Sequence, residues 1–436
     1  MTAVLGLILA APASHSGKTV LTASLLRLLR RRGRRMAAFK VGPDYIDPVF
    51  HTVAAGRPCF SLDGWAMGRE SFEAITTWLA EDADFVLGEG VMGLFDGAPD
   101  GTASTADISE RTGWPVILVV DVRGQAASVA ALIHGFATYR PSVRVAGLIL
   151  NGVASPRHAR ALERAVAPID FPLLGLVPRN AAFELPSRHL GLVQAVEHPD
   201  LDGFLDRAAD LLAEHLDVNA LIRLATAPDR AAAPAPPPPL LAGHCLAIAE
   251  DAAFAFVYPH LLRAWREAGV SLLPFSPLAD EAPDAAAGAI FLPGGYPELH
   301  AARLAANRNF LGGLRQAAQA GTSIHGECGG YMVLGETLTD AEGVTHAMAG
   351  LLPLATSFAA RRLHLGYREV TLAESGPLGG AGQRLRGHEF HYATIQREGG
   401  AEPFFHARDG LGADLGPVGL RRGSVAGSFI HLIDRI

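Results

Sequence analysis

The chain is almost without lysine. Of its 37 basic residues only Lys18 and Lys40 are lysine, so the other 35 are arginine. A composition that has replaced nearly every lysine keeps two where a compact, flexible ammonium differs from a planar guanidinium, which marks both positions for chemistry. Cysteine is scarce as well. Cys59, Cys245 and Cys328 are odd in number, widely spaced and free of any CxxC pair, which excludes a disulfide framework and a cysteine-rich metal site. Excess positive charge is also missing: the formal net charge is −7, with no electrostatic footprint for nucleic acid. The one basic run, RLLRRRGRR at 27–35, reads as the cation-rich C-terminal end of a helix, with Gly33 ending it. The first apolar run is too short to span a bilayer and no basic n-region precedes it, so neither membrane contact nor a signal peptide is expected, and the location expected is cytoplasmic.

What is present is enough apolar material, 49% of 436 residues, for two large cores. The stretch ATAPDRAAAPAPPPP at 225–239 cannot pack a core and favours extended polyproline geometry. It reads as a semi-rigid linker. The expected organisation is a first domain over 1–224, a linker over 225–240 and a second domain over 241–436.

The first half is organised around VLGLILAAPASHSGKT, residues 4–19. An apolar strand feeds a loop of small residues ending in Ser16, Gly17, Lys18 and Thr19, and a helical pattern follows at once. That order is strand, phosphate loop, helix: unpaired backbone N–H groups at the helix start hold phosphate oxygens, Lys18 adds a point charge and Thr19 places a hydroxyl where Mg²⁺ would sit. The first glycine of the G-x-x-x-x-G-K-[ST] pattern is replaced by Pro12, so the motif is variant. A chance Gly-Lys-Thr in a strand-to-helix turn is the bland alternative.

A second strand delivers Lys40 into GPDYIDPVFH, residues 42–51, whose prolines, glycine and aspartates read as a loop at a strand's C-terminal end, where ligands of open α/β sheets gather. Asp44 and Asp47 are its chemistry candidates. Further strands end in Glu89, Asp121 and Asn151, with helical spacing over 125–139, which gives an alternating βα series and a mostly parallel sheet. LPSRHLGL at 185–192 is a polar loop carrying Arg188 and His189, and 201–216 reads as the helix ending the first domain.

The second half restarts with strands at 245–249 and 289–292, a helix over 300–319, and SIHGECGG at 323–330; beyond Gly350 the apolar residues alternate over 363–372, 384–392 and 424–431, as in antiparallel strands. Cys328 lies in a glycine-flanked strand-to-helix turn. Such a turn holds a nucleophile clear of its neighbours, and the helix start is expected to lower the thiol pKa. The backbone N–H groups of Gly329 and of Gly294 or Gly295 are candidates for an oxyanion hole. A base is needed, and His431 is the candidate, with His325, His388 and His391 as rivals. A small buried hydrophobe is the plain alternative for any free cysteine, and Cys59 and Cys245 fit it.

APASHSGKT, KVGPDYIDP, EGVMGLFDG, LPSRHLGL, PGGYPE, GECGGY, GHEFHY and GSFIHL occur in this order along the chain. Together they resemble the corrin a,c-diamide synthases of cobalamin biosynthesis. The resemblance implies an α/β fold of two parts: an N-terminal P-loop domain with a mostly parallel sheet, similar to dethiobiotin synthetase, and a C-terminal class I glutamine amidotransferase domain. It implies glutamine- and ATP-dependent amidation of the c and then the a acetate carboxylates of a corrin, through an acyl phosphate, with ammonia from a Cys328-dependent glutaminase. A metal-free corrin, hydrogenobyrinic acid, is the expected substrate, with cobyrinate as the close alternative, and a homodimer is compatible with the reading.

Carried over by resemblance, Cys328 and His431 act on glutamine while Lys18 and Asp47 serve the ligase chemistry. Ser16, Gly17, Lys18, Thr19, Lys40 and Asn151 contact ATP; Thr19, Asp44 and Glu89 hold Mg²⁺; Tyr45, Arg188 and His189 meet the corrin; Gly295 and Gly329 form the oxyanion hole. A salt bridge at Arg188 and a strand-end turn at Asn151 are the structural alternatives. In ordinary triad amidotransferases a glutamate two residues after the histidine orients it, and here that position is Ile433, which leaves a dyad. The rival readings are a P-loop regulatory ATPase of the partition type with a non-catalytic C-terminal domain, another carboxylate amidoligase such as dethiobiotin synthetase or the four-amide corrin synthase, and a redox module built on Cys328.

Overall fold

The computed structural model describes residues 4–169, 171–183, 187–188, 191–192, 194–228, 240–241 and 244–436. The chain divides into two compact units, residues 1–65 with 72–235 and residues 66–71 with 236–436.

In the first unit strands and helices alternate: β1 (Leu5–Ala10), α1 (Lys18–Arg31), β2 (Met36–Val41), α2 (Asp47–Ala55), β3 (Cys59–Leu62), α3 (Arg69–Ala80), β4 (Phe85–Glu89), α4 (Thr105–Thr112), β5 (Val116–Asp121), α5 (Val129–Thr138), β6 (Val145–Val153), α6 (Pro156–Val166) and β7 (Leu173–Pro178). The seven strands form one sheet in the order β3-β2-β4-β1-β5-β6-β7, with every pairing parallel. Their near-continuous apolar runs are buried on both faces, as a sheet covered by helices requires. β1 lies mid-sheet, so the phosphate loop leaves its C-terminal end beside those of β4 and β5. A short pair, β8 (Ser187–Arg188) and β9 (Gly191–Leu192), precedes α7 (Leu201–His215) and α8 (Val218–Leu224). Thr226 exchanges backbone hydrogen bonds with Gly6 of β1 at 2.8 and 3.2 Å.

The loop expected over 42–51 is half helix. α2 begins at Asp47, because Pro48 sits in the first turn, where its missing N–H costs nothing and its fixed φ suits the helix. Asp44 Oδ1 accepts the Ile46 N–H (2.8 Å) and turns the chain into that helix.

The second unit contains β10 (Cys245–Ala249), α9 (Pro259–Glu267), β11 (Ser271–Phe275), β12 (Ala289–Leu292), α10 (Ala301–Ala306), α11 (Arg308–Gln319), β13 (Ser323–Glu327), α12 (Gly329–Leu334), β14 (Thr337–Thr339), β15 (Thr345–Ala347), β16 (Leu354–Ser357), β17 (His364–Leu372), β18 (Arg384–His391), β19 (Thr394–Glu398), β20 (Glu402–Asp409), β21 (Asp414–Arg422), β22 (Val425–Ser428) and β23 (Ile430–Arg435). Ten strands make one sheet, β11-β10-β12-β13-β22-β21-β20-β17-β18-β23, and β15-β14-β16-β19 make a smaller one. The helix expected over 300–319 breaks at Asn307, whose side-chain amide donates to Pro277 O at 2.6 Å.

The strand expected over 424–431 is two strands. β22 runs parallel to β13 and antiparallel to β21, and the chain then turns at Phe429, whose ring stacks on His391 at 3.9 Å. β23 pairs antiparallel with β18, and that pairing jumps from Gly387–Leu432 to Arg386–Asp434, leaving Ile433 as the extra residue of a β-bulge. Among the described residues no helix is long and apolar enough to cross a membrane.

Packing in the first sheet is tight enough to test at one atom. A Cβ on Gly88 of β4 would lie 2.1 Å from Phe39 Cζ, and the Phe39 ring stacks on Trp114 at 5.1 Å. Gly88→Ala should destabilise the protein by about 1–3 kcal/mol through overpacking. Thermal unfolding reads this as a fall of several degrees; an unchanged midpoint would show that the ring moves freely.

Candidate active sites

In the first unit the phosphate loop is shaped by two left-handed residues, His15 (φ 60°) and Gly17 (φ 84°), the latter immediately preceding α1. Gly17 also has no room for a side chain, since its Cβ would fall 2.4 Å from Asn151 Nδ2. That amide donates to Ser16 O (2.9 Å), so the end of β6 supports the loop from beneath. Ser16 is buried, and its Oγ has no hydrogen-bond partner among the described residues. Lys18 folds back to donate to Met92 O (2.6 Å) and Ala13 O (3.2 Å). Burial, with Lys40 adding to it, brings the Lys18 ammonium down to about 8.

Beneath the loop lies a buried charged cluster. Lys40, at the end of β2, donates to Asp47 Oδ2 (2.7 Å) and to Glu89 Oε1 (2.8 Å). Thr19 Oγ1 donates to Glu89 Oε1 (2.8 Å), with Asp47 Oδ2 3.2 Å away. His51 Nε2 meets the other Glu89 oxygen at 2.5 Å. Burial works against the charge on Lys40, but Asp47 and Glu89 outweigh it and raise the ammonium well above the ordinary lysine value. Burial likewise disfavours ionised Glu89, and Lys40 with His51 holds it well below the carboxylate range. Asp44 is pushed up to about 7 by burial and by the neighbouring Asp47 charge.

Thr19, Asp47 and Glu89 present an all-oxygen donor set, which suits Mg²⁺. Of the three residues expected to hold the ion, Thr19 and Glu89 are together here, while Asp44 directs Oδ1 to the backbone N–H of Ile46. Tyr45 stands half-buried in the turn between the two aspartates. The backbone of Arg188 is in β8, but its side chain and all of His189 lie outside the described residues, as does most of the linker. His51 is the functional neighbour that the sequence reading passed over. It lies four residues after Asp47, on the same helix face, a spacing that shows only once residue 47 is known to start a helix.

In the second unit β13 runs straight into Cys328, which adopts φ 48°, ψ −102°, and α12 follows immediately. The turn is possible because its glycines carry no side chain: a Cβ on Gly330 would lie 1.9 Å from Leu292 O, and one on Gly329 would lie 3.1 Å from Gly295 N. The Gly294–Gly295 loop therefore lies against the turn. It also lies against His431, whose Cε1 would be 2.3 Å from a Cβ on Gly294. Cys328 N donates to Ser428 O (2.8 Å), three residues ahead of His431.

The thiol is not activated at rest. Burial pushes Cys328 well above the ordinary thiol value, Glu298, Glu389 and Glu327 add to this, and the Gly329 N–H acts the other way without prevailing. The expected lowering by the helix start is thus overruled by desolvation. Burial, with His388 and His391 beside it, takes His431 down to about 3, so it stands as a neutral base. The rival histidines have other partners: His325 Nε2 meets Glu327 Oε1 at 3.2 Å and His391 Nε2 meets Glu389 Oε1 at 3.0 Å. His388 pairs with His431 across β18 and β23.

His364, Glu389 and His391 bring possible metal-ligand atoms within 4.8 Å of one another. Their imidazole planes are nearly parallel, 6° apart with centroids at 4.6 Å, so the in-plane lone pairs do not converge, and Arg368 Nε already holds Glu389 at 2.8 Å. This is an ion-pair cluster. Asp434 is engaged elsewhere, accepting the Gly68 N–H at 2.8 Å within the same unit.

Besides His364, three imidazoles of this unit are depressed by burial: His260 to about 4, His388 to about 4 and His431 to about 3. Between the unfolded value near 6.5 and these folded values the unfolded chain binds more protons, so stability is full above about pH 6.5 and falls as the pH drops through that window. At pH 5 the loss is about 2 kcal/mol per imidazole. Denaturant midpoints at pH 7 and pH 5 measure it. Equal midpoints would show that the three rings titrate normally.

Residues 7–193 match the family model for the CobQ/CobB/MinD/ParA nucleotide binding domain, and residues 246–435 that for the CobB/CobQ-like glutamine amidotransferase domain. The hydrogenobyrinate a,c-diamide synthase of Brucella anthropi is 53% identical over 431 residues, 98% of each chain. That of Rhizobium meliloti is 52% identical over 432 residues, 98% of this chain and 99% of its own. A crystal structure of a glutamine amidotransferase overlaps 43% of this chain and 90% of that chain at 16% identity, with a TM-score of 0.30. With half its residues shared across full-length relatives, the chain belongs to the hydrogenobyrinate a,c-diamide synthase family.

Proposed function

We propose that this protein amidates the a and c carboxylates of the metal-free corrin hydrogenobyrinate, using ATP and the side-chain nitrogen of glutamine. The observation that carries the reading is the presence on one chain of a phosphate loop above a Lys40–Asp47–Glu89 cluster and of a glycine-wrapped Cys328 turn beside the Gly294–Gly295 loop, which also packs against His431 of β23. A carboxylate does not react with ammonia at neutral pH. It must first be activated, and attack of a carboxylate oxygen on the γ-phosphorus of ATP gives an acyl phosphate, a mixed anhydride, with ADP as the leaving group. Ammonia then displaces phosphate to leave the amide.

In the first unit the loop N–H groups and Lys18 offset the charge that develops on the transferred phosphoryl group. To do so Lys18 exchanges its present acceptors, Met92 O and Ala13 O, for phosphate oxygens. Thr19, Asp47 and Glu89 would hold Mg²⁺, which when bound neutralises charge on the outer phosphates. Lys40 holds both carboxylates in place and keeps Glu89 ionised, Asn151 braces the loop near the nucleotide, and Tyr45 with Arg188 and His189 meets the corrin. In the second unit His431 takes the Cys328 proton, the thiolate attacks the glutamine amide carbon, and the imidazolium returns the proton to departing ammonia. Gly329 and Gly295 offer N–H groups to the oxyanion. Water then clears the thioester as glutamate. A chain with so few cysteines and a soluble nucleotide chemistry suits the cytoplasm.

Glutamate release from glutamine, measured with and without Mg-ATP and hydrogenobyrinate, tests this. Cys328→Ser should reduce release to background, and the corrin should gain the mass of two amides only in wild type. Lys18→Arg should lower ATP-dependent amidation by on the order of 10²-fold, because the guanidinium cannot replace a buried point charge. Release that ignores Cys328, with ATP turnover that ignores glutamine, would instead favour the regulatory ATPase.

A further inference from the structure

An acidic partner beside a catalytic imidazole selects its tautomer and offsets the positive charge that the ring acquires on taking a proton in a buried site. The position two residues after the histidine does not supply that partner. Ile433 is apolar, buried and the extra residue of the β23 bulge, and its carbonyl accepts from His260 Nε2 at 3.1 Å.

The acidic group that approaches His431 comes from the other side. Glu327, the last residue of β13 and the immediate neighbour of Cys328, places Oε2 4.0 Å from His431 Nδ1. It is buried. Its other oxygen accepts the Leu432 N–H (3.2 Å), tying it to the strand that carries the histidine, and lies 3.2 Å from His325 Nε2. The His325 ring is itself stacked on Phe291, 5.7 Å away and 13° from parallel. The carboxylate is thus held by groups on β13 and β23, and its free oxygen faces the base.

We infer that Glu327 is the positioning residue of the glutaminase site: its carboxylate fixes His431 with Nδ1–H towards Glu327 and Nε2 towards Cys328, and it stabilises the imidazolium formed during proton transfer. The inference rests on the glutaminase reading given above. In the step concerned, the Cys328 S–H proton moves to His431 Nε2, the sulfur electron pair forms the C–S bond to the glutamine amide carbon, and the proton leaves on ammonia when the C–N bond breaks. The 4.0 Å separation closes to a charge-assisted hydrogen bond once His431 is positive, as contacts in empty sites tighten along the reaction. Other charges face the same ring. Glu389 stands on β18 together with His388 and His391, and Glu298 bears on the thiol. Of these carboxylates Glu389 is already shared between Arg368 and His391.

The test uses the full chain and three substitutions. Glu327→Gln keeps an acceptor for the Leu432 N–H and for the ring N–H but removes the charge; Glu327→Asp keeps the charge and shortens the arm; Glu327→Ala removes both. Steady-state glutaminase kinetics and the rate of Cys328 alkylation by iodoacetamide are recorded from pH 6 to 10, with Cys328→Ser as the blank. For Glu327→Gln we expect kcat to fall by on the order of 10²-fold with KM within about twofold, while the alkylation curve moves to lower pH because the carboxylate no longer raises the thiol, so that turnover drops although more thiolate is present. Glu327→Asp should recover part of kcat, and Glu327→Ala should be the weakest. A Glu327→Gln protein with wild-type kcat and an unmoved alkylation curve overturns the assignment. So does an aspartate variant no better than alanine, which would mean that Glu327 serves the backbone of β23 alone. If wild-type release does not depend on Cys328 at all, the glutaminase reading itself has failed, and the Glu327 variants are then indistinguishable from wild type.

Discussion

A lysine ammonium buried between two carboxylates governs the first unit. Lys40, Asp47 and Glu89 come from the end of β2, the first turn of α2 and the end of β4, and Thr19 joins them from the first turn of α1. Taking each ion out of water costs several kcal/mol, and that cost is recovered only while the geometry holds, so deleting one partner of such a pair costs about 3–5 kcal/mol. Four elements are therefore positioned by one electrostatic condition. The same condition keeps Glu89 ionised in a dry place and close to a second carboxylate, which an unaided carboxylate resists.

The second unit solves a different problem by having almost nothing at key positions. Cys328 can occupy its unusual backbone conformation only because Gly329 and Gly330 let Gly295 and Leu292 approach within ordinary contact. Where the first site concentrates charge, this one removes it: the resting thiol and the resting imidazole are both pushed to their neutral forms by burial. Reactivity then depends on what happens when the two exchange a proton, which is why a carboxylate poised near the imidazole has more influence than its distance at rest suggests.

The parallel sheet, the phosphate loop and the Cys328 turn were legible in the sequence because each has a local signature: apolar runs of strand length, small residues before Gly-Lys-Thr, glycines around a cysteine. Four features were not. Asp47 and His51 share a helix face that stays hidden while two prolines and a glycine make 42–51 read as loop, although Pro48 is acceptable where the helix starts. The split of 424–431 into β22 and β23 depends on Phe429 packing against His391 of another strand, a contact between residues far apart in the chain. The thiol's resting state was misread because a short helix start was weighed without the burial that opposes it. Glu327 was overlooked for a related reason: it stands beside the cysteine in sequence and acts on a histidine about a hundred residues away.

The bulge at Ile433 has a bearing on how this sequence can vary. In a strand, neighbours alternate between faces, so the side of the sheet on which an imidazole emerges is a matter of parity. The turn at Phe429 and the extra residue at Ile433 set that parity for His431 from both directions. Replacing one residue by another leaves the count intact, whereas inserting or deleting a single residue between Ser428 and Asp434 would turn His431 to the opposite face with every chemical group still present. The C-terminal strand is thus a segment where drift in composition is tolerated far better than drift in length, and an alignment gap there would mark a glutaminase that has been lost.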